Sequence, residues 1–355
     1  MQKNKKIRIK DIANLAGVSE GTVDRVLHNR GEVSEKSRKA VEKILKEIDY
    51  SPNILARSLS SKKIYRFICI IPSYKKGEYW EQLDKGFDMA ISQFVLYNVV
   101  IEKRFFDQFD PQAFVEVSEK IVQEMPDAVI IAPIFRDETL NFTSKLDSHS
   151  IPFSFIDSII DNTNFVTYYG QNSSQSGYIG AKLLVDTLKP YSKILVVRTQ
   201  RKHGSLSNQT IKRYQGFKQY IEENNNFCEL IEIVLVDDND EANIQQLQSV
   251  FSNHPDIKAA ITFNSKVFRL AKFINDINRR DVVLLGYDLL QENIHYLKSG
   301  IISYLIAQRP EKQAYRSVED LCNKFIFNKH NQRINFMPID ILMKENIDYF
   351  VDFQD

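Results

Sequence analysis

The stretch 18–31, VSEGTVDRVLHNRG, gathers groups that can recognise a polyanion. The hydroxyls of Ser19 and Thr22 and the guanidinium of Arg25 donate to phosphate oxygens or to O6 and N7 of guanine. His28 and Arg30 extend the same basic series. Glu20 and Asp24 stand among them and can only accept. Phosphates repel a carboxylate, whereas the N4 amino group of cytosine donates to one. A nucleic acid read by its bases reconciles the two signs.

The elements that position these groups are legible around them. Ile9, Ile12, Ala13, Leu15 and Ala16 recur at helical spacing, and Gly17 stops that helix as a C-cap would. Ser19 then suits an N-cap, with Glu20 in a first turn whose dipole favours a carboxylate. Val18 and Val23 sit at the two positions of a hydrophobic staple. A third helix is expected from near Ser34, with Val41, Ile44, Leu45 and Ile48 on one face. Residues 7–50 therefore read as wholly helical, on the helix-turn-helix plan. Tyr50-Ser51-Pro52-Asn53 breaks the pattern, and ILARSLSS suits one more short helical turn.

Charge divides the chain at the same place. The formal net charge is +1, yet residues 1–63 carry +7 and the remainder −6. A basic head on an acidic body suggests a polyanion-binding module joined to a part with another task. From Tyr65 onward short β-rich runs alternate with amphipathic helices: RFICII 66–71, AVIIA 128–132, PFSFI 152–156, KILVV 193–197, AAITF 259–263 and VVLLG 282–286. That alternation predicts βαβ units, and the number of runs predicts two similar lobes with parallel sheets.

Several classes are disfavoured. Cys69, Cys228 and Cys322 are far apart with no CxxC, which argues for a reducing compartment and against a disulfide framework or zinc site. The basic start lacks the apolar core of a signal peptide, and no run approaches the ~20 apolar residues of a membrane span. A cytoplasmic location is expected, with neither metal nor cofactor. IIPSYKKGEYW follows the first strand where a dinucleotide-binding enzyme would carry GxGxxG, and no P-loop, HExxH or nucleophile elbow occurs. His203 and His295 are isolated. The remaining rivals are a transport-type sugar-binding protein, against which the basic head weighs, and a Rossmann-type sugar-modifying enzyme.

IKDIANLAGVSEGTVDRVLHNRGEVSEKSRKAVEKI, followed by IDYSPNILARSL, resembles the lactose/galactose repressor (LacI/GalR) family of bacterial regulators. From residue 64 the body is similar to that family's effector domain, itself related to periplasmic sugar-binding proteins, through IPFSFID, KRYQGF, TFN and LLGYD in the expected order. The resemblance implies a helix-turn-helix domain over 1–50, a hinge helix and linker over 51–63, and an effector-binding and dimerisation domain over 64–355. The lobes are expected at about 64–158 with 303–328, and 168–288 with 334–350. It also implies a homodimer on palindromic operator DNA, gated by a small-molecule effector, with no membrane partner and with nucleoid association when DNA-bound.

By the family pattern Glu20, Gly21 and Asp24 occupy base-reading positions on a helix of about 19–28. The resemblance adds Arg8, Lys10, Ser19, Thr22, Arg25, His28, Ser34, Ser37 and Tyr50 as DNA contacts, with Lys36 and Arg38 nearby to neutralise phosphates. Leu59 matches the leucine that wedges into the minor groove, beside Ala56 and Asn53. In the body, Arg213, Asn264 and Asp288 match ligand-binding positions of the family. Asp157, Tyr169 and Gln308 are assigned near the crossovers, and Tyr79 and Trp80 to an aromatic face for the C–H surface of a sugar. Plainer roles compete: Asp288 as a helix N-cap, Asp157 as a loop cap, Arg213 in a surface ion pair, Trp80 as core. Two positions depart from the family pattern. Ser265 follows Asn264 where an aspartate is common, and Ala314 replaces a glycine.

Overall fold

The computed structural model describes residues 9–28, 31–47, 63–200, 207–224, 228–236, 239–329 and 331–350. The chain divides into two compact units, 1–60 and 61–355.

The first unit holds three helices, Ile9–Ala16, Glu20–His28 and Glu35–Glu47. Ile12, Ala13, Val23, Val26 and Val41 are buried between them, and Val18, Val33, Ile44 and Leu45 pack around that core. Enclosing Ile12, Val23 and Val41 stabilises the unit by about 1.5–3 kcal/mol each, measured against exposure. Gly17 turns the chain between the first two helices at φ 65°, a left-handed conformation open to glycine without penalty. The two following helices begin alike. Ser19 Oγ accepts from Thr22 N at 3.1 Å, and Ser34 Oγ accepts from Ser37 N at 3.2 Å. The expected hinge, with Tyr50, Asn53, Ala56 and Leu59, lies outside the described residues, as does Arg8.

The second unit is built on two six-stranded sheets. Strands β1 (Tyr65–Pro72), β2 (Val99–Phe106), β3 (Ala128–Ile131), β4 (Phe153–Ile156) and β5 (Tyr168–Gln171) form the first with β11 (Ile334–Met337), in the order β11-β5-β4-β3-β1-β2. Strands β6 (Lys193–Gln200), β7 (Glu229–Val236), β8 (Ile257–Thr262), β9 (Val283–Tyr287) and β10 (Tyr304–Ala307) form the second with β12 (Asp340–Leu342), in the order β12-β10-β9-β8-β6-β7. Pairing is parallel throughout, except that β12 runs antiparallel to β10. The two lobes thus repeat one plan, so β4 and β9 are equivalent strands, as are β5 and β10.

The six strands read from the sequence are all present. β2 and β7 lie at sheet edges and carry charged residues within the strand (Glu102, Lys103 and Arg104; Glu229 and Glu232), which interrupt the apolar character of a central strand. β5 and β10 are four residues each, and their omission displaced the lobe boundaries. Tyr168–Gln171 pairs with β4 and so completes the first lobe, not the second. Likewise Tyr304–Ala307 pairs with β9 in the second, whereas β11 pairs with β5 in the first. The chain therefore changes lobe after each fifth strand, around 172 and 308, and again between β11 and β12. Gln171, 1% exposed, fastens these crossovers by donating from Nε2 to Ala307 O at 2.9 Å and Pro338 O at 3.0 Å.

Candidate functional site

In the head, side-chain exposure follows the helical period. Val23 and Val26 face the core, whereas Glu20, Gly21 and Arg25 are exposed and Thr22 and Asp24 half-buried. Residues 20, 21, 24 and 25 therefore share the outer side of the second helix, with Ser19 exposed at its start. Ser19 and Thr22 also bond each other, Oγ to Oγ1 at 2.9 Å, and Ser34 and Ser37 repeat that pairing at 2.8 Å. These hydroxyls thus serve the helix ends first; in each pair one O–H is spent on the other hydroxyl, and the second O–H can rotate to donate to a phosphate. Lys10 and Lys36 are exposed and Arg38 half-buried.

In the body, a cavity of about 110 Å³ lies between the lobes where open α/β sheets place ligands, beyond the carboxyl ends of strands. Six of the eight expected residues line it: Tyr79, Trp80, Asp157, Arg213, Asn264 and Asp288. Asp157 follows β4 and Asp288 follows β9, so the equivalent strands deliver one carboxylate each. Both take left-handed backbone, φ 66° and 70°, and both are 4% exposed. Asp157 Oδ1 accepts from Tyr79 OH at 2.6 Å. Asp288 Oδ1 accepts from Gln308 Nε2 at 2.7 Å.

Arg213 is 1% exposed, which excludes a surface ion pair. Its Nη1 donates to Phe263 O at 2.8 Å, and its guanidinium lies over the Tyr287 ring at 3.8 Å. Its Nε and Nη2 find no hydrogen-bond partner, which is costly for a buried cation unless a ligand supplies acceptors. Asp288 is not the cap of the helix Gln291–Lys298, which starts from Leu290 without a side-chain cap. Asn293, 0% exposed, instead binds that turn with its amide, donating to Ser265, Tyr287 and Asp288 carbonyls and accepting from Phe268 N. Ser265 thus contributes through its backbone. Asn264 Oδ1 accepts from Lys266 N at 2.9 Å and shapes the adjoining turn.

Burial raises the Asp288 pKa to about 6, with Arg213 opposing the shift. An acid raised in the folded state is the more protonated there, so its contribution to stability falls as pH rises from about 4 to about 6. The stability of wild type relative to Asp288→Asn is expected to decline across that window by on the order of 2–3 kcal/mol. Urea titrations of both proteins at several pH values measure it; parallel curves would refute it. Burial also holds the Tyr79 hydroxyl well above the usual range, with Asp157 adding to the effect, so Tyr79 stays a neutral donor.

Two expectations need correction. Tyr169 lies on β5 but donates from its OH to Asp320 Oδ2 at 2.9 Å, on the helix Pro310–Phe325, and does not line the cavity. Gln308 does not line it either and instead bonds Asp288 and Gln209, whereas Tyr79 and Trp80 both line the cavity, edge-on at 5.1 Å, with the Tyr79 hydroxyl on Asp157. The residue that sequence reasoning missed is Gln209. It lines the cavity and donates from Nε2 to Gln308 Oε1 at 2.7 Å and to Asp157 Oδ1 at 3.3 Å. Its position four residues before Arg213, on the same helix face, was the available signal.

A trihelical head that exposes a polar helix face is thus followed by a body whose two lobes line a polar cleft. Among the described residues no helix is long and apolar enough to cross a membrane. A model of the periplasmic binding protein domain matches residues 68–327, and one of the bacterial regulatory proteins of the lacI family matches residues 8–53. A crystal structure of a putative LacI transcriptional regulator from Bacteroides fragilis is 38% identical, with TM-score 0.77, covering 81% of this chain and all of that one. The regulator MalR of Streptococcus pneumoniae is 22% identical over 335 residues, 94% of this chain and 97% of that one. The regulator RegA of Clostridium saccharobutylicum is 31% identical over 144 residues, so this match spans only 42% of that relative. The chain belongs to the LacI family of bacterial transcriptional regulators.

Proposed function

We propose that the protein is a homodimeric repressor whose operator affinity is set by a sugar or sugar derivative bound between the lobes. One observation carries the ligand class: the enclosed Arg213, with two unpartnered donors, shares a small cavity with two carboxylates, an asparagine and a tryptophan. Vicinal hydroxyls accept from a guanidinium and donate to carboxylates, and a pyranose C–H face suits an indole. A thermal-shift screen with monosaccharides, disaccharides and sugar acids tests it. A saturable rise in melting temperature with one of them is expected; none with any carbohydrate would overturn the reading.

On the DNA side we propose contacts from the outer face of the second helix, aided by Lys10, Arg25 and Lys36. Arg8, His28, Ser34, Ser37, Tyr50, Asn53 and Ala56 complete the proposed surface, with Leu59 as the minor-groove wedge. A twofold protein fits a palindromic site because one helix-turn-helix reads too few base pairs alone. An effector that favours one arrangement of the lobes shifts the population competent to hold both half-sites. Glu20 and Asp24 then select cytosine-containing half-sites at a cost in nonspecific affinity. Asp24→Ser is expected to relax base preference at one position, where a wrong base normally costs ~1–3 kcal/mol, and to strengthen binding to random DNA. In-vitro selection of operators with both proteins checks this; recovery of the same half-site would sink it.

A further inference from the structure

The cavity that holds Arg213 opens into a larger space. The inner cavity has a volume of about 110 Å³ and the outer chamber about 580 Å³, and Tyr79, Trp80, Gln108, Ser265 and Lys266 line both. Small-molecule sites commonly occupy ~300–1,000 Å³, so the inner part alone is undersized and the chamber is not. Both lobes build the chamber. The first supplies residues 73–78 after β1 and 107–109 after β2. The second supplies the start of the helix Val267–Asp276, with Leu290 and Glu292.

The two spaces differ in chemistry. Tyr74, Phe109 and Phe268 are half-buried on the chamber walls, which suits the C–H face of a second sugar ring. Lys75, Lys76, Lys266 and Arg269 also line it, against the acids Glu78, Asp107 and Glu292. Two of those acids already serve the backbone: Glu78 Oε2 accepts from Lys75 N at 2.9 Å, and Asp107 Oδ1 from Phe109 N at 2.8 Å. Lys266 Nζ lies over the Phe109 ring at 5.9 Å, and Arg269 pairs with Asp240 at 3.5 Å, so both cations are held at the wall. The helices Tyr79–Phe94, Val267–Asp276 and Gln291–Lys298 all begin on the chamber, and none is capped by the side chain of the residue at its start. Their positive dipole ends add to the cations. Asp157 and Asp288 share the inner cavity with Arg213, so a ligand anion is repelled there and favoured in the chamber.

We infer that the effector is a two-unit carbohydrate: a hydroxyl-rich ring on Arg213, and an outer unit in the chamber that bears a carboxylate or phosphate. Arg213 Nε and Nη2, enclosed and without partners, receive the hydroxyls of the inner ring, and the lysines of the chamber meet the outer anion. A phosphate on a single ring would fill little of the chamber and leave the Phe109 and Phe268 rings uncovered. The inference rests on the cleft being the sugar site and narrows what that site takes.

Two measurements on the full chain test it. Trp80, the single tryptophan, lines both spaces, so collisional quenching of its fluorescence reads the local potential. Residues 64–355 carry a net charge of −6, which by itself favours caesium over iodide as the quencher. A positive potential of about one kT in the chamber enriches iodide and depletes caesium by roughly threefold each. Iodide is therefore expected to quench more strongly, and Lys75→Gln combined with Lys76→Gln to shrink the difference. Calorimetry then compares galactose, galacturonate, galactobiose and digalacturonate, and likewise glucose, glucose 6-phosphate, trehalose and trehalose 6-phosphate. A two-unit acidic sugar is expected to bind about tenfold or more tightly than its neutral counterpart or its acidic single unit, and less so at high salt. Digalacturonate and trehalose 6-phosphate separate carboxylate from phosphate. Caesium quenching at least as strong as iodide, or equally tight binding of a neutral or one-unit sugar, overturns the inference and leaves the sugar reading intact. No binding by any carbohydrate strikes the sugar reading and this inference together.

Discussion

Arg213→Ala is expected to weaken effector binding by 10²-fold or more and to leave operator binding by the head intact. Two charge-assisted hydrogen bonds, each contributing about 1.5–3 kcal/mol, correspond to roughly 10²- to 10⁴-fold in affinity. The guanidinium is already oriented, by Phe263 O and the Tyr287 ring, so little side-chain entropy is lost when it binds a ligand. Arg213→Lys serves as the graded control. A lysine keeps the charge but loses the planar fork, so it should retain only part of the affinity. Effector titration by calorimetry, alongside gel shifts with and without effector, measures both arms. A variant that still responds at wild-type effector concentrations would remove Arg213 from the site.

The second large effect is expected from two glycines that touch no ligand, Gly177 and the Gly216 of KRYQGF. The helices Ser173–Val185 and Asn208–Glu223 meet at Gly177 and Gly216. A Cβ at Gly177 would stand 1.8 Å from Arg213 O, and one at Gly216 would stand 1.8 Å from Ser174 O. Both obstacles are backbone, so neither can swing aside, and the helices would have to separate. Gly216→Val is therefore expected to destabilise the body by about 3 kcal/mol or more, beyond the usual range of surface changes. Gly177→Val should do the same and also displace the segment that carries Gln209 and Arg213, weakening effector binding at temperatures where the variant is still folded. Thermal melts followed by effector titration test this. Wild-type stability in both variants would show that the helices have room to move.

How legible the molecule was differs from part to part. The head could be read from one-dimensional signals, because Ser19 and Ser34 cap the helices they precede and Val23 and Val41 recur on the face that is buried. Six body strands showed as apolar runs because both faces of a central parallel strand are covered. β5 and β10 did not, since four residues such as YYGQ and YLIA carry too little pattern, and their register comes from neighbours distant in sequence. The lobe boundaries moved for that reason alone. Of the cleft, Arg213, Asn264 and Asp288 were reached only through motif resemblance, and Tyr169 was misplaced because adjacent strand residues face opposite sides.

Residue order alone therefore determined the local matters: a basic helical head, its caps and turn, and an alternating α/β body of two lobes. These follow from interactions within a few residues, where periodicity and charge are directly visible. Only the tertiary structure decided that Asp157 and Asp288 become equivalent carboxylates of a repeated plan, and that Arg213 is enclosed with donors to spare. It alone made Gln209, silent in any motif, a bridge between Asp157 and Gln308. The reason is physical. Burial and hydrogen-bond partnership are set by elements that meet across 50 to 100 positions of sequence, and no local spacing encodes which polar group will be left facing the cleft.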